Sequence, residues 1–318
     1  MVKVSVVVPI YNAGKYLAPC LDSLLNQTLK DIEVICVLDC PSDGSEKVVE
    51  EYAKKDDRVV VIYNDHNLHV GESRNVGIRN ARGIYIGFSD HDDLHELDMY
   101  EKLVEVANDD TLMVVSGLLG RELHKYDNMP CLNDEAYLAV TARNASTHVT
   151  TNIYRRDFIL DNHIFFIDNK RCSIEDSIFN SRVLSSIVNA KGLISIVPQC
   201  FYLHVDYGGN QNKSYDHWRF DKVMNAIDEL YKIASETRID SSKKRKALFL
   251  GSLKTLYTSF LREKNERGIV SSYRLIKNMI KEKKACGIIM KDYPMTFNGL
   301  SISKCVFAVI VKLICKLY

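Results

Sequence analysis

Short runs of β-branched, apolar residues alternate along this chain with stretches in which apolar positions recur every three or four residues. Val4 to Val8 is nearly all apolar, the pattern of a strand covered on both faces in a parallel sheet, and Pro9 ends it. Leu17, Leu21, Leu24 and Leu25 then fall at helical spacing, with Pro19 tolerable only near that helix's start. The alternation repeats with strand Ile32 to Leu38, a turn-rich segment Asp39 to Ser45 and a helical pattern through Val48, Val49 and Tyr52. Strand Val59 to Tyr63, helix Gly71 to Ala81 and strand Ile84 to Phe88 follow. Strand and helix at such short intervals predict a doubly wound, mostly parallel α/β sheet with right-handed crossovers and helices on both faces.

The pattern then loosens. Leu97 to Ala107 has helical spacing, Leu112 to Ser116 reads as a strand, and Leu119 to Asn144 reads as an excursion or loop. Regularity returns at Asn152 to Arg156 and at Ser173 to Phe179, which opens a helix, while Leu193 to Val197 and Cys200 to Leu203 read as late strands. Asp206 to Ser214, rich in Gly and Asn, is the best boundary. From Trp218 only helices are expected, near Phe220 to Ile233, Lys246 to Leu261 and Ser271 to Lys281. The predicted organisation is a ligand-binding domain over 1–205, then a linker or lid and an all-helical extension over 206–318.

Composition adds mostly exclusions. With 46% hydrophobic and 26% charged residues the chain is an ordinary globular one, and a net charge of +1 gives no general reason to expect nucleic acid as a partner. Nine scattered cysteines without a CxxC pair fit a reducing cytosol. Cys36 and Cys40 lack a second ligand pair for zinc. The apolar start Val4 to Val8 is too short for a signal peptide and reads as a first strand. Ile302 to Tyr318 is strongly apolar, but Lys304, Lys312 and Lys316 interrupt it and gather on one side of a helix. An interfacial helix on an anionic membrane surface, aided by Lys243 to Lys246, and a helix docked on the first domain are both consistent with that pattern.

Candidate chemistry concentrates after Phe88, where Ser89-Asp90-His91-Asp92-Asp93 holds three carboxylates within four residues. In an extended chain Asp90 and Asp92 face one side together while His91 faces away. Ligands of open α/β sheets bind beyond the carboxyl ends of strands. A divalent cation or a ribose would suit the pair, and a solvated turn capping the next helix would explain the same residues. No GxGxxG or GxxxxGK[ST] occurs, and the Gly-rich loop of sugar nucleotidyltransferases is missing as well.

Five stretches taken together carry a resemblance. Val4-Ser5-Val6-Val7-Val8-Pro9-Ile10-Tyr11-Asn12, the Asp39 to Ser45 turn, Ser73-Arg74-Asn75-Val76-Gly77, Asp90-His91-Asp92-Asp93 and Glu175-Asp176 occur in the order and rough spacing of family 2 glycosyltransferases. The chain resembles an inverting enzyme of the GT-A fold, densely over Val2 to about Leu103, more thinly to about His204, and not beyond. The resemblance implies a donor-nucleotide site built from Pro9, Tyr11, Asn12, Asp39, Arg74 and Asp90. Asp92 would coordinate Mg²⁺ or Mn²⁺ on the diphosphate, a task needing only one or two carboxylates plus substrate phosphates. Tyr11 can stack a uracil-like base, worth roughly 1–3 kcal/mol, or be a half-buried aromatic. Asp39 can accept the imide N–H of the base or hydrogen-bond its own turn. Cys40 and Pro41 stand where the family more often carries small or acidic residues. Arg74 is expected at ribose or diphosphate; His91 reads as tolerated.

Glu175 and Asp176 diverge by about 100° on a helix, so they cannot share one task. Ser173 to Asp176 has the spacing of a capping box, which would make Asp176 structural, whereas the family motif places the general base at the second acid, Asp176. Asp93, Glu175 and His204 are further candidates. The implied protein is a cytoplasmic, metal-dependent glycosyltransferase, peripheral on the inner face of the plasma membrane if its last helix binds there. It would move a sugar from a nucleotide-diphosphate donor, UDP-linked, to a glycan or lipid-linked acceptor of bacterial surface polysaccharide. A non-catalytic nucleotide-sugar-binding or assembly subunit is the competing class.

Overall fold

The computed structural model describes residues 1–118, 136, 137, 141, 148–205 and 219–267. The first half unfolds in the expected order: β1 (Val4–Ile10), α1 (Leu17–Leu25), β2 (Ile32–Leu38), α2 (Ser45–Lys55), β3 (Val59–Tyr63), α3 (His69–Asn80) and β4 (Tyr85–Phe88). Then come β5 (Leu94–His95), α4 (Met99–Glu105), β6 (Thr111–Leu118), β7 (Asn152–Arg155), α5 (Arg156–Asp161), α6 (Glu175–Ala190), β8 (Leu193–Leu203), α7 (Phe220–Glu236) and α8 (Ser241–Arg267). The eight strands form one sheet in the order β3-β2-β1-β4-β7-β6-β8-β5. The first four are mutually parallel. Strand β7 enters antiparallel to both β4 and β6, and β5 closes the far edge antiparallel to β8.

All seven residues of β1 and of β2 are buried, as their unbroken apolar runs require. Alternate side chains serve two cores. Val4, Val6, Val8 and Ile10 face a cluster with α1, α2 and α4, while Val7, Ile35 and Val37 face a larger one with α3 and α6. Val223, Ile227, Leu230, Leu256 and Phe260 of α7 and α8 belong to that second cluster, so the first two helices of the extension complete the main core. The boundary at 206–214, the helix at 271–281, the segment 302–318 and nearly all of 119–144 lie outside the described residues.

Two readings of strand ends need correction. β1 continues through Pro9 to Ile10, because β4 has ended opposite Val7 and no ladder partner needs the missing N–H. The two late strands are one, β8, in which Pro198 and Gln199 bulge between the pairs Ser116–Val197 and Gly117–Cys200.

At the N-terminal edge of the sheet a buried carboxylate ties three elements together. Glu33 accepts from the Ser5 hydroxyl at 2.5 Å and from the Arg82 backbone N–H, Nε and Nη2 at 2.8, 2.8 and 2.6 Å. Burial alone would raise its pKa; the bonds from Ser5 and Arg82 outweigh it and hold the carboxyl below its ordinary range.

Helix α3 lies unusually close to β1. A Cβ on Gly77 would stand 2.2 Å from Val7 Cγ1, so glycine there is a requirement of approach. Gly77→Ala is expected to destabilise the fold by about 1–3 kcal/mol through overpacking, measured by urea unfolding. Adding Val7→Ala should return part of that loss, as contacting sites couple; strict additivity of the two would remove the explanation.

Candidate active site

The C-terminal ends of β1, β2 and β4 and the start of α3 meet at one edge. Here Ser73-Arg74-Asn75 acts as a unit. The Ser73 hydroxyl accepts from Asn64 Nδ2 at 3.0 Å. Asn75 pairs both ways with the Phe166 backbone, donating to its carbonyl at 3.1 Å and accepting its N–H at 2.7 Å. Between them Arg74 is 3% exposed, its guanidinium 5.2 Å above the Phe166 ring. Phe166 itself stacks on Phe179 at 4.1 Å and meets Phe88 edge-on at 5.2 Å, so the arginine rests on an apolar floor, where ion pairs are strengthened.

Arg74 joins two carboxylates 86 positions apart in the chain. Nη2 donates to Asp90 Oδ1 and Nη1 to Asp176 Oδ1, each at 2.8 Å. The two acids respond differently. Asp90 is half-buried, yet against that burial the guanidinium holds its pKa below the ordinary value. Asp176 is pushed up to about 6, chiefly by burial, with Glu175 and Asp90 adding to the rise and Arg74 opposing it. The capping-box alternative does not form: among the described residues α6 has no side-chain cap, and the Ser173 hydroxyl has no partner. Asp176 instead takes Arg74 and, at 3.4 Å, the Val149 N–H. Glu175 makes no direct ion pair with Arg74 among the described residues, although its charge acts on both Arg74 and Asp176.

The other acids of the cluster differ in role. Asp93 is fully buried and accepts from Tyr202 Oη at 2.6 Å, Val205 N–H at 2.9 Å and His204 Nδ1 at 3.1 Å. The Tyr202 hydroxyl also accepts the Asp90 N–H at 3.2 Å, so the acidic loop is bolted to the end of β8. His204 has a raised pKa: partial burial lowers it, and the Asp93 bond, with Asp90 and Asp92 beyond, more than reverses this. Asp92 is raised by burial and by its neighbours Asp90 and Asp93, with His91 opposing. The acidic stretch is not extended as expected: the Asp93 N–H donates to the Asp90 carbonyl at 3.3 Å, closing a turn at His91 and Asp92, and the His91 Nδ1 lies 3.1 Å from the Pro9 carbonyl.

At the end of β2 Asp39 is 3% exposed and accepts from Asn64 Nδ2 at 2.8 Å, Leu68 N–H at 2.7 Å and His69 N–H at 2.9 Å. It therefore holds the loop that leads into α3. Asn12 Oδ1 accepts the Ser42 N–H at 2.7 Å, and Asp43 accepts from Gly14 and Ser45, locking the loop after β1 to the turn after β2. Tyr11 beside them is 44% exposed, an aromatic left open at this rim. Tyr202, Asn64, Asp43 and Phe166 were not singled out from the sequence. Tyr202 alone carried a signal, lying two residues from His204 and so on the same side of a strand.

The sequence model described as Glycosyl transferase family 2 matches residues 5–180, more than half of the chain. The chain belongs to that family. Among relatives of this family 2 protein, the poly(ribitol-phosphate) beta-glucosyltransferase of Bacillus spizizenii is 29% identical over 272 residues, 83% of this chain and 41% of that one. Two Bacillus subtilis relatives reach 46% and 45% identity over 112 residues, 32% of the length of each, so the chain spans well under half of these curated relatives. S. aureus TarS 1–349 in complex with UDP-GlcNAc superposes with a TM-score of 0.66 at 20% identity, covering 91% of this chain and 84% of that one. The mannosyltransferase PcManGT of Pyrobaculum calidifontis, in complex with GDP-Man and Mn²⁺, gives 0.59 at 15%, covering 99% and 86%. The expected GT-A architecture is thus the one observed. No helix among the described residues is long and apolar enough to cross a membrane.

Replacing Arg74 by Met should leave both acids without their shared cation. Asp176 is then expected to titrate about one unit or more above 6, read by carboxyl NMR; an unchanged midpoint would show that the pair does not set its acidity.

Proposed function

We propose that this family 2 chain is an inverting glycosyltransferase, transferring a sugar from a UDP-linked donor to a hydroxyl of a glycan or lipid-linked acceptor in bacterial surface polysaccharide synthesis. The observation that carries the reading is the placement of Asp176, 2.8 Å from a buried arginine and with a pKa near 6. A general base works best when its pKa lies close to the operating pH. Arg74 fixes the direction of the carboxylate while Oδ2 remains on the side of Val149. From there Asp176 would take the acceptor hydroxyl's proton as that oxygen attacks the anomeric carbon from the face opposite the leaving diphosphate. By analogy with glycoside chemistry the transition state is oxocarbenium-like.

Tyr11 offers a stacking face for the base, and Asp90, its carboxylate kept ionised by Arg74, is suited to the ribose hydroxyls. Asp39 and Arg74 support this side indirectly, by holding the loop before α3 and by orienting Asp90. Asp92 suits a hard divalent cation: it lies beside Asp90 and Asp93, whose like charges raise its pKa and would be offset by a bound cation. Among the described residues no group of three or more ligating side chains gathers; a cation held here would need substrate phosphates to complete its shell. Asp92 would hold Mg²⁺ or Mn²⁺, which when bound would offset charge on the departing diphosphate. A neighbour solved with UDP-GlcNAc and another with GDP-Man and Mn²⁺ support the donor class and the metal. The name of the Bacillus spizizenii relative, a poly(ribitol-phosphate) beta-glucosyltransferase, supports the acceptor class.

Asp176→Asn should abolish UDP release in the presence of acceptor while donor affinity stays within about twofold; near-native turnover would remove the assignment. Because the base must be ionised, kcat should climb as pH rises through about 6 and level above it, and a rate independent of pH between 5 and 8 would contradict that role. Asp92→Ala should lose the Mn²⁺-dependent part of UDP binding by calorimetry; an unchanged titration would place the metal elsewhere. A thermal-shift panel of nucleotide sugars with Mn²⁺ would identify the donor, since a ligand of the folded state alone raises Tm.

A further inference from the structure

Asp176 owes its place to a turn of the backbone two residues earlier. Ile174 has φ 55° and ψ 40°, the left-handed region, where Cβ crowds the following carbonyl and a β-branched residue is an outlier. Its side chain is nonetheless 7% exposed and part of the core beneath α6. A backbone held in this way persists only where its surroundings over-determine it. Those surroundings come largely from α7. The Lys222 carbonyl accepts the Ser173 N–H at 3.4 Å, and Asn225 Nδ2 donates to the Arg171 carbonyl at 2.8 Å. On the other flank the Asp168 carbonyl accepts the N–H groups of Arg171 and Cys172 at 3.0 and 3.1 Å. Residues 171–173 are therefore clamped between a tight turn and the first turns of a helix from the C-terminal part of the chain.

We propose that Ile174 is a positioning residue for the base: with residues 171–173 clamped by α7, its left-handed turn starts α6 in the direction that seats Asp176 on Arg74. The inference rests on the role given to Asp176 above. It also gives the helical extension a task at the site, since α7 acts on Asp176 through the clamp on residues 171–173. An ordinary helix entry, with Ser173 capping in the extended region and Ile174 as the first helical residue, would rotate the first turn and part the 2.8 Å pair.

The test compares Ile174→Gly, which accepts the same backbone without holding it there, with Ile174→Val, which keeps a buried β-branched side chain. Asn225→Ala loosens the clamp from outside the core. Two readouts are taken: kcat and donor KM by UDP release, and the Asp176 midpoint by carboxyl NMR without substrate. The groups facing Asp176, namely Arg74, Glu175, Asp90 and His148, are left in place. Ile174→Gly should lower kcat roughly tenfold or more at unchanged KM and move the midpoint from about 6 toward about 4 as the freed carboxylate hydrates. Ile174→Val should match the native protein, and Asn225→Ala should shift both readouts in the direction of the glycine variant. A folded glycine variant with native kcat and midpoint overturns the proposal; where that variant fails to fold, native values in Asn225→Ala overturn it. If the native protein transfers no sugar to any acceptor, the glycosyl-transfer reading fails, and the titration still decides the role of Ile174.

Discussion

One buried cation organises the site. Arg74 stands on an aromatic floor and satisfies Asp90 with one nitrogen and Asp176 with the other. A guanidinium is suited to this because its planar fork stays charged even out of water. The geometry brings the end of β4 and the start of α6 to one place, although the two are separated by most of the second half of the sheet. It also separates their chemistry. The half-buried Asp90 stays ionised, whereas the more deeply set Asp176 holds its proton more strongly. A single interaction thus gives two like side chains two different behaviours.

The backbone around that pair is unusual as well. Among the described residues six non-glycine positions have positive φ, and four of them, Asn12, Cys40, His69 and Ile174, lie on the loops and helix starts at this edge of the sheet. Each is held by neighbours: Asn12 by Ser42, Cys40 by the Asn64 carbonyl, His69 by Asp39 and Ile174 by the core. Strain kept at one edge by hydrogen bonds formed before any ligand arrives is a mark of a preorganised site.

How much of this was legible in the sequence follows from the range of each interaction. β2 and β3 fall on the very residues their apolar runs predict: β2 is buried along its whole length, and β3, half-buried at the sheet's edge, still carries an unbroken β-branched run that marks a strand locally. The late strands read as two because Pro198 interrupts the pattern, and only the cross-strand pairing with β6 shows that the chain bulges and continues. In the site, the cluster Asp90 to Asp93 and the pair Glu175-Asp176 stood out as motifs. Their internal assignments did not, since Asp93 is occupied by Tyr202, His204 and Val205, all more than a hundred residues away. Arg74 on a helix surface and Arg74 beneath two carboxylates look the same until α6 folds back over α3. The share taken by α7 in the main core was equally hidden, as its apolar face records that it is covered but not by what.

The knot of Ser5, Glu33 and Arg82 lies at the opposite edge of the same strands. It fastens β1, β2 and the approach to β4 to one another through side chains that no substrate could reach from the far edge. Foundation and workshop are thereby set apart: the lower rim anchors the sheet, and the upper rim carries the loops. Such a division lets the upper loops be exchanged or lengthened without loosening the strands that hold them.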